Sequence, residues 1–122
     1  MVERISDAEH EIMEVLWTQS PLTATEVADR VVESKGWSLQ TVKTLLSRLA
    51  AKAVLGTQRD GRKFLYTPLV ERDAYLAGVS RKFVDRLFGG KVTPLVAHLA
   101  DADELSDEDI REIEELLREL KA

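Results

Sequence analysis

The stretch SLQTVKTLLSRLAAKAVLGTQRDGRKFLYTP, Ser38 to Pro68, carries two periods in succession. Ser38 can cap a helix running to about Ala53, in which Val42, Leu45, Leu46 and Leu49 recur at helical spacing and so form one apolar stripe. That stripe must face a core. At about 100° per residue the opposite face is centred on Gln40, Thr44, Ser47 and Ala51, flanked by Lys43 and Arg48. It is small, polar and cationic, and it holds no acid. From Leu55 the period becomes two: Leu55, Thr57 and Arg59 alternate, Asp60-Gly61 gives a type I′ turn signal, and Phe64 and Tyr66 alternate on a return run that stops at Pro68. A β-hairpin follows the helix, and its tip, Arg59-Asp60-Gly61-Arg62-Lys63, sets three cations around a tight turn.

Upstream, Ser6-Asp7-Ala8-Glu9 reads as a capping box and opens a helix with Ala8, Ile12, Val15 and Leu16 on one side. Ser20-Pro21 ends it, because proline disfavours helical geometry in the residue before it. Thr23-Ala24-Thr25-Glu26 is a second capping box, starting a short helix that buries Val27, Ala28 and Val31 or Val32 and fades at Lys35-Gly36. Three helices followed by a hairpin is the order of a winged helix-turn-helix, whose third helix enters the major groove while the hairpin leans on the flanking backbone. Residues 1–70 are therefore expected to form a DNA-binding domain. Gln40, Lys43, Thr44 and Ser47 are assigned to base edges, Arg48, Arg59, Arg62 and Lys63 to phosphates, and Ser38 and Thr41 to the same surface.

Downstream, residues 71–122 read as a helical dimerisation module. A helix from Glu71 to about Phe88 sets Tyr75, Val79 and Phe83 at four-residue spacing beside Leu76, Leu87 and Phe88, and Gly89-Gly90 breaks it. A short helix around Thr93 to Ala100 carries Leu95, Val96 and Leu99; Ser106-Asp107-Glu108-Asp109 caps a last one bearing Ile110, Ile113, Leu117 and Leu120. About 50 residues make a thin core for an independent domain, and burial against a second copy would remedy that. The expected dimer face is Tyr75, Leu76, Val79, Phe83, Leu87, Leu95, Leu99, Ile110, Ile113 and Leu117. The fold class expected is thus mainly α with a small β-hairpin wing.

A net charge of −5 runs against nucleic-acid binding, but its distribution does not. Residues 1–35 hold three bases and eight acids, residues 36–70 six bases and one acid, and residues 71–122 eight bases and thirteen acids. The middle third is the electropositive one. The absence of cysteine excludes disulfides, thiolate nucleophiles and thiolate metal sites. No nucleophile triad, phosphate-binding glycine loop or HExxH helix is present, so catalysis is not expected, nor is a cofactor. The acids from Asp101 to Asp109 lie where a helix start favours negative charge. His98 with Asp101 offers too few ligands for a metal, and His10 beside Glu14 reads as helix surface. Trp17 is expected to pack between the first helix and the base of the wing, and Trp37 to pack in the turn before the third helix, the alternative being a place near a phosphate. No apolar run approaches the length of a membrane span and MVERISDAEHE has no secretory pattern, so the cytosol is the expected compartment. The competing class is a winged-helix module for binding proteins; the third helix argues against it, offering hydrogen-bonding polar groups where a protein interface would centre on apolar anchors.

The chain resembles the penicillinase-repressor family, of BlaI, MecI and CopY type, from Ile5 to its C-terminus. The likeness is carried by Ala8-Glu9-His10-Glu11-Ile12-Met13-Glu14-Val15-Leu16-Trp17, by Thr25-Glu26-Val27, by Thr41-Val42-Lys43-Thr44-Leu45-Leu46-Ser47-Arg48-Leu49 with Lys52 and Leu55, and by Phe64-Leu65-Tyr66-Thr67-Pro68. The resemblance implies a homodimeric repressor on inverted-repeat operators, often of the TACA/TGTA kind, with the operator duplex and a second copy as partners. Two departures stand out. Copper-sensing members hold metal in a cysteine-rich tail, whereas this chain ends Glu119-Leu120-Lys121-Ala122. In β-lactam-responsive members a membrane sensor protease system triggers cutting at an Asn-Phe pair in the dimer module, and the best-matching position here is His98-Leu99.

Overall fold

The computed structural model describes residues 5–122; the reading of the N-terminal leader falls in part outside them. The elements run α1 (Asp7–Thr18), α2 (Ala24–Lys35), α3 (Leu39–Ala51), β1 (Leu55–Asp60), β2 (Lys63–Pro68), α4 (Arg72–Phe88), α5 (Val92–Asp101) and α6 (Asp107–Lys121). The chain is mainly helical with one two-stranded antiparallel wing. It divides into two compact units, the first ending at Ala77 and the second running Gly78–Ala122.

In the first unit, capping fixes where the helices begin. Ser6 and Thr23 each accept from the backbone three residues on, and Glu9 and Glu26 reach back to the cap N–H groups, giving two reciprocal boxes. Helix α2 ends on Gly36 at φ 65°, a left-handed conformation that glycine adopts without steric cost. The stripe of α3, Val42, Leu45, Leu46 and Leu49, is buried with Ile12, Met13, Leu16, Val27 and Val31 from α1 and α2. On α2 it is Val31 that turns inward, while Val32 is exposed.

Helix α3 stops at Ala51, short of Ala53, in a Schellman cap. The Ala53 N–H donates to the Ala50 carbonyl and the Val54 N–H to the Leu49 carbonyl, both at 3.0 Å, and Leu49 and Val54 are both buried in the same core. Ala53 takes the left-handed position at φ 61°.

The strands pair from Leu55 with Pro68 to Asp60 with Lys63, leaving Gly61 and Arg62 as the loop. Only Gly61 of these two has positive φ, at the first central position, so the turn follows the II′ pattern and not the I′ pattern expected from Asp60-Gly61. The register decides this, since Asp60 is spent as a strand residue. A bridge from Leu22 to Tyr66, with N–H···O bonds of 3.2 and 2.8 Å, ties the wing to the chain between α1 and α2. Buried Leu22, after Pro21, is a core residue that its lone position between helices hid from periodicity.

Two aromatic residues close this unit against the start of α4. The indole N–H of Trp17 donates to the Val70 carbonyl at 2.9 Å, and its ring lies 5.7 Å from Tyr75. Tyr75 is buried in this core, which takes it away from the expected dimer face, and Leu76 packs partly buried beside it. The same packing carries the first unit past residue 70. His10 is half-buried, its ring edge-on to Trp17 and its Nε2 3.2 Å from Glu14, and not on the open surface. Trp37 packs partly buried against the core.

In the second unit α6 starts in a third capping box, Ser106 with Asp109, and α5 ends in another Schellman cap with Asp103 at φ 59°. Little is buried here. Val84 is the one buried hydrophobic residue among those described in this unit, while Val79, Phe83, Leu87, Leu99, Ile110, Leu116, Leu117 and Leu120 are exposed. Val84 is also an inward position that the four-residue spacing of Val79 and Phe83 did not single out.

Candidate nucleic-acid interface

Because the α3 stripe is buried, its other face is exposed as a matter of geometry. Ser38, Gln40, Thr41, Lys43, Thr44, Ser47 and Arg48 are all solvent-exposed, as are Arg59, Arg62 and Lys63 at the hairpin tip. Among the described residues no acid forms an ion pair with Lys43, Arg48, Arg62 or Lys63. The ion pairs present engage other residues, such as Lys35 with Glu11 and Arg72 with Glu14.

The polar groups on this surface are not equally available. Ser38 caps the helix, accepting from the Thr41 N–H at 3.2 Å, and the two hydroxyls lie 3.1 Å apart. Both serve the helix start. Thr44 donates its hydroxyl to the Gln40 carbonyl at 3.0 Å. Arg59 is tied to the tip, donating through Nε to the Gly61 carbonyl at 3.0 Å with its guanidinium 5.9 Å above the Phe64 ring. Lys63 lies close enough to α2 that its charge helps hold the Glu26 carboxyl below its usual range, a shift due first to the hydrogen bonds from Thr23. Gln40, Lys43, Ser47, Arg48 and Arg62 are left as the freest side chains of the surface.

One contact behind the face escaped the reading from sequence. Lys52, the C-cap residue of α3, donates to Glu9 Oε1 at 2.7 Å, and the same oxygen accepts from the Ser6 N–H at 2.7 Å. Glu9 is 2% exposed and its Oε2 has no hydrogen-bond partner among the described residues. Burial pushes its pKa up, but the Lys52 ammonium and the Ser6 donors more than offset that, leaving the carboxyl below its ordinary value. This pair holds the start of α1 to the end of α3. Glu9 read as a capping acid only, and nothing local announces a partner 43 positions away.

Helix α3 with its acid-free face and the cation-tipped hairpin beside it define a winged helix-turn-helix protein of the DNA-binding class. The family model for the penicillinase repressor matches residues 5–119. The chain is 35% identical to the penicillinase repressor of Bacillus licheniformis over 120 residues, 98% of this chain and 94% of that one. The solution structure of the DNA-binding domain of the repressor BlaI superposes with a TM-score of 0.56 at 37% identity, covering 62% of this chain and 92% of that one. The B. licheniformis BlaI monomeric form, solved in complex with the blaP half-operator, gives 0.54 at the same identity and coverage. This chain belongs to the penicillinase-repressor family, a family of DNA-binding transcriptional repressors and not of enzymes. No helix among the described residues is long and apolar enough to cross a membrane.

Proposed function

We propose that this protein is a cytoplasmic repressor that binds inverted-repeat operators as a homodimer, each copy laying α3 in a major groove with Gln40, Lys43, Thr44 and Ser47 toward the bases and Arg48, Arg59, Arg62 and Lys63 toward phosphates. The observation that carries this is the exposed face of α3, cationic and free of acids, followed by a hairpin tip where Arg59, Arg62 and Lys63 outnumber the single acid Asp60, in a chain whose net charge is −5. Domain-wise, the winged unit reads DNA and two copies pair through Leu76, Val79, Phe83, Leu87, Leu95, Leu99, Ile110, Ile113 and Leu117. Most of that face is exposed in the single chain; Leu76, Leu95 and Ile113 are partly covered.

Release follows from loss of the pairing unit. His98 and Leu99 are exposed, but they lie in the last turn of α5, whose carbonyls accept from the Ala102, Asp103 and Glu104 N–H groups. A protease acting there, triggered by a membrane sensor or otherwise, needs that turn to open first.

The test is selection from a pool of randomised duplexes followed by gel shift with the full chain. An inverted repeat should be enriched. Gln40→Ala should relax preference at one base pair by about 1 to 3 kcal/mol, whereas Arg62→Ala should weaken all duplexes alike and reduce the salt slope by about one. A pool that shows no enrichment, or two substitutions that leave affinity unchanged, would overturn the proposal.

A further inference from the structure

Two hydroxyls stand on the exposed face of α3, and they are chemically different. Thr44 donates to the Gln40 carbonyl one turn back, at 3.0 Å, whereas Ser47 makes no such bond among the described residues. A hydroxyl has a single proton to give, so Thr44 faces outward with lone pairs only. Guanine N7 and O6, which are acceptors, would meet it lone pair against lone pair, and only the amino groups of adenine or cytosine could donate to it. What else the side chain offers is its γ-methyl. With Oγ1 folded back on the preceding turn, Cγ2 takes another staggered position on an exposed residue. In the major groove the apolar counterpart of a methyl is the thymine C5-methyl, which sets T·A apart from the other pairs.

We propose that Thr44 is a specificity-determining residue that reads a thymine by methyl contact, its hydroxyl being committed to the helix. The assignment rests on the DNA-reading role given to α3 above, and names what one of its positions selects. Its neighbours divide the work accordingly: Gln40 and Ser47 keep protons for base acceptors, and Thr44 supplies a small apolar surface between them.

The experiment uses the full chain and the duplex that it enriches from the randomised pool, with each thymine replaced in turn by uracil, which lacks only the methyl. At one symmetry-related thymine pair the replacement should weaken the wild-type protein about fourfold per half-site, the worth of one buried methyl. Thr44→Val keeps the methyl and loses the hydroxyl, so it should bind within about twofold of wild type and remain sensitive to uracil at that pair. Thr44→Ser keeps the hydroxyl and loses the methyl; it should bind about fourfold more weakly and become indifferent to uracil there. The opposite ranking, with the serine variant retained and the valine variant lost, would show that the hydroxyl reads a base by hydrogen bonding and would overturn the proposal. So would a wild-type protein that responds to uracil at no position. A wild-type chain that enriches no duplex would instead sink the DNA-binding role itself, which keeps the two failures apart. Circular dichroism of both variants confirms that the exposed substitutions leave the fold intact.

Discussion

Ala53 occupies a backbone position that its side chain disfavours. At φ 61° a Cβ crowds its own carbonyl, at a cost of about 1 to 2 kcal/mol, and the residue stays there because two cap hydrogen bonds and the burial of Leu49 and Val54 determine the turn. Ala53→Gly should therefore raise stability by about 1 kcal/mol, read as a higher urea midpoint with an unchanged slope, part of the relief being returned as chain entropy in the unfolded state. A lower midpoint would show the strain to be absent. Glu9 illustrates the opposite situation, a residue whose surroundings favour its charged form. Its pKa is lowered on folding, so the stabilisation it confers is complete above the unfolded carboxyl range and is lost as pH falls through the lower folded value. Glu9→Gln should cost about 2 kcal/mol at pH 7 and give a protein whose stability falls less between pH 5 and pH 3 than that of the wild type. Parallel pH profiles of the two proteins would contradict the assignment.

At the scale of elements, the sequence was most legible where one short stretch contains both the signal and its reason. Three capping boxes, at Ser6, Thr23 and Ser106, start helices where the spacing of Ser or Thr and an acid puts them, because donor and acceptor are three residues apart. The α3 stripe and the change of period after it likewise gave the helix and the wing. Reading failed where the deciding partner is remote. The turn type at Gly61-Arg62 depends on the register of the whole hairpin; Leu22 is buried because Tyr66 bridges to it; and Tyr75, placed at helical spacing with Val79 and Phe83, goes to Trp17 in the winged unit. The nucleic-acid face was legible as a set of positions, since burial of one stripe exposes its opposite. Which hydroxyls are free on it was legible only at Ser38, read as the cap; the back-bonding of Thr44 and the contact of Thr41 with Ser38 are matters of rotamer.

At the scale of the molecule, the helical unit leaves Val79, Phe83, Leu87, Leu99, Ile110, Leu116, Leu117 and Leu120 exposed, the apolar side chains that the proposed pairing would cover. On the pairing proposed above, Phe83→Asp puts an unpaired carboxylate into that face, and sedimentation should shift from dimer to monomer mass. A folded mutant of unchanged mass would return Phe83 to an intrachain role. A chain ending at Gly90 should keep the helix and hairpin signature of the winged unit yet bind a full inverted repeat little better than a half-site, having lost an avidity gain of about 10² to 10⁴. If it still distinguished the two as the full chain does, pairing would have to reside before Gly90. The near absence of burial in the helical unit also makes abundance a structural variable. On the proposed pairing, a unit with Val84 as its one buried hydrophobic residue would gain most of its order from its partner, so mass action would set how much of it is folded and dilution would unfold it. If repression rests on that pairing, it should switch off by dosage: below a threshold copy number the chains would open, become substrates for general proteolysis, and disappear faster than growth alone would thin them.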